Sequence, residues 1–260
     1  MNYDASAVAE RIWPVEALHQ LRSLIGDFVV VGALARDFVV HGLAGLPRGR
    51  DTRDLDVAVA VPGRDAYAAA LDSIGPPGGL ILRREIAGVD VDLIPFGELE
   101  QEGVVEIQDG VVLDVTGMRE AFETAISVTL KSGSSVKTAN LTGMILLKLV
   151  AWDMRGRTDN RDATDLGALL DASYSGVFWD RCWEPGSATE RWDWDERMVG
   201  PHLEGQGVGR MATPRTAERL RGILSRDAVD RLVLKIPGHE RRQQLEAFRE
   251  GLDSELGGRG

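Results

Sequence analysis

The sequence predicts an α+β protein, with a small mixed sheet and flanking helices followed by a mainly helical C-terminal domain. Two observations predict this fold class. Short β-branched runs alternate with helix-like segments in the first half of the chain, and long segments of helical periodicity dominate the second half. We expect the first domain to span residues 1–115 and the second to span residues 116–260.

The elements of the first domain follow from its hydrophobic pattern. Apolar β-branched runs predict strands, amphipathic runs predict helices, and Gly and Pro mark the turns between them. The predicted strands are 28–31, 54–61, 80–85 and 89–94, and the predicted helices are an opening stretch through about residue 24, then 33–41 and 64–73.

The second domain is predicted to be mainly helical. Residues 141–154 are strongly apolar apart from Lys148, and Thr213-Pro214 supplies a capping residue and a proline at the first helical position. The periodicity weakens around the tryptophans between residues 179 and 194. The predicted elements are helices at 118–128, 141–154, 160–171, 213–224 and 241–256, and a short hairpin at 129–136.

Three aspartates are spaced as a divalent metal site requires. Asp54 and Asp56 lie two apart on one predicted strand, so their carboxylates share a face, and Asp92 lies on another strand. Two anions this close repel each other unless a cation lies between them, and Mg²⁺ prefers oxygen ligands together with a substrate phosphate. Asp90 shares a face with Asp92 and is an alternative third ligand. The solvated face of an edge strand is the alternative explanation of the pair.

Arginines are concentrated around these acids. They suit the binding of a triphosphate and of an RNA end, and the alternative is a solvated surface that balances nearby acids. The formal net charge of −11 argues against a protein that coats nucleic acid, because neutralising phosphates requires an excess of Lys and Arg. The arginines are residues 36, 48, 50, 53, 64, 83 and 84.

The composition indicates a cytoplasmic protein without a membrane partner. No apolar run approaches the roughly 20 residues that cross a bilayer, and the first residues lack the pattern of a signal peptide. The single cysteine, Cys182, cannot form an intrachain disulfide, which agrees with a reducing compartment. We expect it to be a buried structural thiol.

Three motifs occur in one order: a glycine turn at 31–37, the paired acids at 52–57 and the third acid at 91–95. Together they resemble the head of the DNA polymerase β-like nucleotidyltransferase superfamily. Two later segments, 147–152 and 157–166, resemble motifs of the AbiEii/AbiGii-type toxins, which are the nucleotidyltransferases of bacterial toxin–antitoxin and phage-defence pairs. The resemblance covers roughly residues 25–175 and implies a nucleotidyltransferase-type mixed sheet.

The resemblance implies roles for the acidic residues and for one lysine. Asp54 and Asp56 would hold two Mg²⁺ ions, and Asp92 would share one of them and take the proton from an attacking hydroxyl. Lys148 would bind the phosphates. Asp162 or Asp165 would position this lysine or the acceptor, and pairing with nearby arginines is the alternative role of these two aspartates.

The resemblance also implies a nucleotide site at the glycine turn. Gly32 would let the backbone approach the triphosphate, and Arg36 and Arg53 would add positive charge, although Arg36 has the alternative of pairing with the adjacent aspartate to fix the turn. Ala33 replaces the serine or glycine that the superfamily usually has at this position, so Thr52 would supply the phosphate-binding hydroxyl instead.

The implied function is Mg²⁺-dependent transfer of a nucleoside monophosphate from an NTP to a hydroxyl group. The favoured acceptor is an RNA end such as a tRNA 3′ terminus, with the protein acting as the toxin of a pair and an antitoxin protein as its partner. One alternative is transfer to a small molecule such as an aminoglycoside. Another is a catalytically degenerate fold that only binds nucleotide.

Overall fold

The computed structural model describes residues 6–50, 52, 54–108, 110–156 and 158–257. The chain forms two compact units, of which the first comprises Met1–Phe38 and Arg50–Asn140 and the second Val39–Gly49 and Leu141–Gly260. The second unit therefore takes over at residue 141, not at the expected 116, because two strands between residues 126 and 138 belong to the sheet of the first unit. No helix in the described ranges is long and apolar enough to cross a membrane.

The first unit contains a six-stranded mixed sheet and several helices, which confirms the predicted α+β class. The strand order is β3-β4-β2-β1-β8-β7, and β5 and β6 form a separate two-stranded sheet. The strands are β1 Val29–Val30, β2 Asp54–Val61, β3 Arg83–Ile86, β4 Val89–Gly97, β5 Val104–Gln108, β6 Val111–Asp114, β7 Ile126–Thr129 and β8 Ser135–Thr138. The helices are α1 Ser6–Ile12, α2 Val15–Ile25, α3 Gly32–Asp37, α4 Arg64–Ile74 and α5 Met118–Glu123.

The side chains at the start of β2 alternate between the core and the surface. β2 has the predicted bounds, and its Leu55 and Val57 are fully buried whereas Asp54 and Asp56 are only partly covered. β2 runs parallel to β4 and antiparallel to the short β1, which in turn runs parallel to β8. The acid-bearing strands are thus neighbours, and neither lies at an edge of the sheet.

Several predicted elements differ in the structure. The helix expected at 33–41 is α3 followed by a π-helical segment, Phe38–Leu43. The helix expected at 118–128 ends at Glu123, since the β-branched residues after it pair as β7 with β8, and this pairing overrides the local helical periodicity. The first strand of the expected hairpin therefore begins at Ile126 and not at residue 129. The β5–β6 pair has no counterpart among the predicted strands.

Every element described in the second unit is a helix. Thr213 caps α10 by accepting a hydrogen bond from the backbone of Thr216, as the Thr-Pro signal predicts. The longer helices are α6 Leu141–Arg155, α7 Arg161–Ala172, α8 Ser187–Arg191, α9 Glu196–Met211, α10 Pro214–Ile223, α11 Arg226–Val233 and α12 Arg241–Gly257, and two short 3-10 helices lie at Gly176–Phe178 and Asp180–Trp183.

Helices α9 and α12 pack backbone against backbone through glycines. A Cβ atom on Gly205 would overlap the carbonyl oxygen of Phe248 and lie 2.9 Å from the backbone nitrogen of Leu252. A Cβ atom on Gly251 would likewise overlap the carbonyl oxygen of His202. The glycine-rich stretch in α9 therefore serves close helix packing.

Candidate active site

Strands β2 and β4 bring four aspartates to one face of the sheet. The parallel register pairs Asp54 with Asp90 and Asp56 with Asp92. Residues that pair across neighbouring strands share a face, as do residues two apart on one strand, so all four carboxylates lie on the same side. Leu55, between the first two, is buried on the opposite side. The three predicted acids and the alternative ligand Asp90 are thus together.

Arg83 of β3 lies among these carboxylates. β3 runs antiparallel to β4, and Arg83 is in register with Asp92. Its Nε and Nη2 donate to the two oxygens of Asp92, each at 2.7 Å. The same guanidinium donates to Asp54 Oδ2 and to Asp90 Oδ2 at 3.3 Å each. The hydrogen bonds to Asp92 and the charges of the three aspartates raise the pKa of Arg83 and outweigh the effect of burial. The Arg83 side chain therefore stays positively charged.

Thr52 holds the first aspartate of the pair. Its hydroxyl donates a hydrogen bond to Asp54 Oδ1. Burial raises the pKa of the Asp54 carboxyl, but this hydrogen bond, one from its own backbone, and the charges of Arg83 and Arg50 outweigh burial and lower the pKa below its ordinary value. Asp54 is thus ionised at neutral pH. The proposed contact of the Thr52 hydroxyl with a phosphate stays a prediction.

Gly32 lies directly against the second aspartate. Its φ is +65°, a conformation that residues with a Cβ rarely adopt, and a Cβ atom here would overlap Asp56 Oδ2 and lie 2.8 Å from Asp56 Cβ. The backbone N–H of Val31 donates to the carbonyl oxygen of Asp56 at 2.9 Å, which fixes the turn on β2. Only glycine lets the chain pass this close to the carboxylate.

The other residues expected at the nucleotide site have different environments. Ala33 is buried in α3. Arg36 is also buried, and its guanidinium donates to Asp37 Oδ1 and to the carbonyl oxygen of Arg50, the latter at 3.0 Å. It therefore ties α3 to the loop before β2, as its alternative role of fixing the turn predicts. Arg53 lies outside the described residues.

The role of Arg83 was not predicted, although the sequence carries a signal for it. Arg83 and Arg84 are adjacent on a strand, so they point to opposite faces. Arg84 is buried and donates to the backbone carbonyls of Leu71 and Ile81, at 3.2 and 2.9 Å. Of these two arginines, Arg83 is the one that faces the acids. Period-two alternation indicates that the two residues differ, but only the register of β3 with β4 identifies which one meets Asp92.

In the second unit, Lys148 of α6 forms a buried ion cluster with two aspartates of α7. Its Nζ lies 3.0 Å from Asp162 Oδ1 and 2.7 Å from Asp165 Oδ2. Arg155 also donates to both oxygens of Asp162. Burial raises the pKa of Asp162, but the hydrogen bonds from Arg155 and the charges of both cations outweigh burial and lower it. Both aspartates thus pair with the lysine, and Asp162 also pairs with an arginine, while the contact of Lys148 with phosphates stays a prediction.

Two other chemically active side chains of the second unit have structural settings. Cys182 is fully buried, as expected, and burial raises the pKa of its thiol to about 11. The ring Nδ1 of His202 accepts a hydrogen bond from Trp192 Nε1 at 3.0 Å, and burial lowers the pKa of this histidine. Neither residue has the features of a nucleophile or of a metal ligand.

The chemistry of the acidic face fits Mg²⁺, but the arrangement of its side chains is that of a salt-bridge cluster. Aspartate oxygens are the hard ligands that Mg²⁺ requires. Across the described ranges of the chain, no group of three or more His, Cys, Asp or Glu side chains has the arrangement of a metal centre. Both oxygens of Asp92 accept hydrogen bonds from Arg83 instead. The aspartates are therefore suitable ligands for Mg²⁺, and the cation that they contact in this structure is the Arg83 guanidinium.

The comparisons with known proteins add no relative. No family model matches the sequence, and no curated protein matches it. Function is therefore inferred from the residues of the site and from their contacts.

Proposed function

We propose that this protein is a Mg²⁺-dependent nucleotidyltransferase, which moves a nucleoside monophosphate from an NTP to a hydroxyl acceptor. The observation that carries the proposal is the acidic face of β2 and β4, on which Asp54, Asp56 and Asp92 lie together beside the Gly32 turn. Carboxylates on neighbouring strands next to a close backbone turn suit a metal-bound triphosphate.

Each residue has a task in this reaction. Asp54, Asp56 and Asp92 would hold Mg²⁺, and Asp54 suits this because its lowered pKa keeps it ionised. Bound Mg²⁺ would supply positive charge to the entering and leaving oxygens. The acceptor oxygen bonds to the α-phosphorus, the bond to the β-phosphate oxygen breaks, and pyrophosphate leaves. Asp92 would accept the proton of the acceptor hydroxyl. Gly32 supports the reaction by keeping the turn close to Asp56.

The favoured acceptor is an RNA end such as a tRNA 3′ terminus, with the protein acting as the toxin of a toxin–antitoxin or phage-defence pair. This choice rests on the motif resemblance and on the arginines near the acidic pair. An antitoxin protein would then be its partner. A cationic small molecule such as an aminoglycoside is the second candidate, since a site with four carboxylates and a net charge of −11 attract a polycation.

The test is the incorporation of labelled NMP from each of the four NTPs, with Mg²⁺, into either total RNA or a panel of aminoglycosides. We expect incorporation by the wild type, and a loss of roughly 100-fold or more in Asp54→Asn and Asp56→Asn, because each change removes a charge that the transition state needs. Asp72→Asn, on an exposed site of α4, is the matched control and should retain full activity.

The acceptor that becomes labelled separates the two candidates. Tight NTP binding without release of pyrophosphate, in the presence of both acceptor classes, would indicate a nucleotide-binding protein without catalysis. Incorporation that survives both Asp→Asn changes would contradict the proposed site.

A further inference from the structure

We propose that Arg83 is a resident counter-ion of the acidic face, and that a divalent cation binds there only after the Arg83 guanidinium has left Asp92. The inference deepens the proposed function and rests on it in one respect, which is that the cation binds at this face. It adds a residue that controls access of the metal to the site.

The hydrogen bonds of Arg83 occupy the oxygens that a metal ion would need. Two N–H groups of the guanidinium, which form a fork, donate to both oxygens of Asp92 at 2.7 Å. The guanidinium also donates to one oxygen each of Asp54 and Asp90 at 3.3 Å. A lone pair that accepts an N–H cannot also coordinate a cation in the same direction. The guanidinium and the metal are therefore competitors for Asp92.

The setting of Arg83 allows it to leave. Its side chain remains 21% exposed, and two of its three carboxylate contacts are long. Arg84 offers a contrast within the same strand, because backbone carbonyls at both 71 and 81 hold its guanidinium in place. In the described part of the chain, the hydrogen bonds of the Arg83 side chain all go to carboxylates, which are the groups that a divalent cation would take over.

The electrostatics favour exchange over permanent pairing. The Arg83 guanidinium contacts three of the four carboxylates on this side of the sheet, and its single positive charge is smaller than their combined negative charge. A divalent ion carries twice the charge and coordinates oxygens from several carboxylates at once. Without metal, Arg83 limits the repulsion among the acids. With metal, it is the group that must give way.

The experiment measures Mn²⁺ affinity by calorimetry, with Mn²⁺ as the probe of the divalent site and no nucleotide present. Arg83→Gln should bind Mn²⁺ on the order of tenfold more tightly than the wild type, since it lacks the charge-assisted hydrogen bonds that compete for Asp92. Arg64→Gln is the matched control. It removes the same charge from an exposed pair with Glu106 and should change the affinity less than twofold.

Arg83→Lys separates the fork from the charge. Lysine keeps the positive charge but cannot bond both oxygens of Asp92 in parallel, so its Mn²⁺ affinity should rise severalfold if the fork is what competes. This variant also decides the question if Arg83→Gln fails to fold without metal. Affinities of both Arg83 variants within twofold of the wild type, or weaker than it, would overturn the proposal.

The outcome is distinguishable from failure of the proposed function. Tighter Mn²⁺ binding in the Arg83 variants, without NMP transfer by any form of the protein, would support the counter-ion and contradict the enzyme. NMP transfer by the wild type, with a metal affinity that does not respond to Arg83, would support the enzyme and contradict the counter-ion.

Discussion

Gly32→Ala tests the closest contact in the site. The substitution places a Cβ atom 2.8 Å from Asp56 Cβ, and it also strains a backbone with a φ of +65°. A positive φ costs a residue with a Cβ about 1–2 kcal/mol. Overpacking against an atom that cannot rotate away adds about 1–3 kcal/mol. We therefore expect Gly32→Ala to lose about 2–5 kcal/mol of unfolding free energy and to displace Asp56.

Gly88→Ala is the matched control for this prediction. Gly88 has a φ of +75° in the turn between β3 and β4, and a Cβ atom there would meet nothing within 4 Å. It therefore shares the backbone strain but not the overlap with Asp56. Urea unfolding of both variants should show Gly32→Ala less stable by at least about 1 kcal/mol. Equal stabilities within about 0.5 kcal/mol would refute the reasoning, because they would mean that Asp56 does not confine the turn.

Three further predictions concern the residues around the acids and in the second unit. Thr52→Val should raise the pKa of the Asp54 carboxyl, because the hydroxyl that lowers it is lost, and an unchanged carboxyl titration by NMR would contradict this. Lys148→Met should lower the unfolding free energy by about 3–5 kcal/mol in urea, because it leaves two buried carboxylates without their shared cation. Gly205→Ala should lower the unfolding free energy of the protein by at least about 1–3 kcal/mol, whereas Gly222→Ala, in open space on α10, should not lower it by this overlap. Equal melting temperatures of the two variants would argue against backbone packing of α9 on α12.

Local pattern was sufficient for the parts of the fold in which side-chain alternation and turn residues agree. β2 has its predicted bounds because Asp54, Leu55 and Asp56 alternate clearly between solvent and core. The acidic face also requires that β2 and β4 are neighbours. The aspartates on both strands predicted this, because a shared metal site brings them together. The glycine turn was predictable for a similar reason, since Gly32 directly follows an apolar run.

Long-range pairing could not be read from the sequence. β1 has only two residues, and its partner β8 lies more than 100 positions further along the chain. This pairing makes residues 126–138 part of the first unit, against the local helical pattern that predicted a helix through residue 128. Arg83 illustrates the same limit within the site, because its partner depends on the antiparallel register of β3 with β4.

The most direct test of the metal site is a crystal structure of the protein soaked with Mn²⁺ and a non-hydrolysable NTP, with the ion located by its anomalous signal. We expect an anomalous peak within roughly 2–2.5 Å of carboxylate oxygens of Asp54, Asp56 and Asp92, with the Arg83 guanidinium displaced from Asp92. A structure in which nucleotide binds while Arg83 keeps both oxygens of Asp92, and no peak lies on this face, would contradict the account.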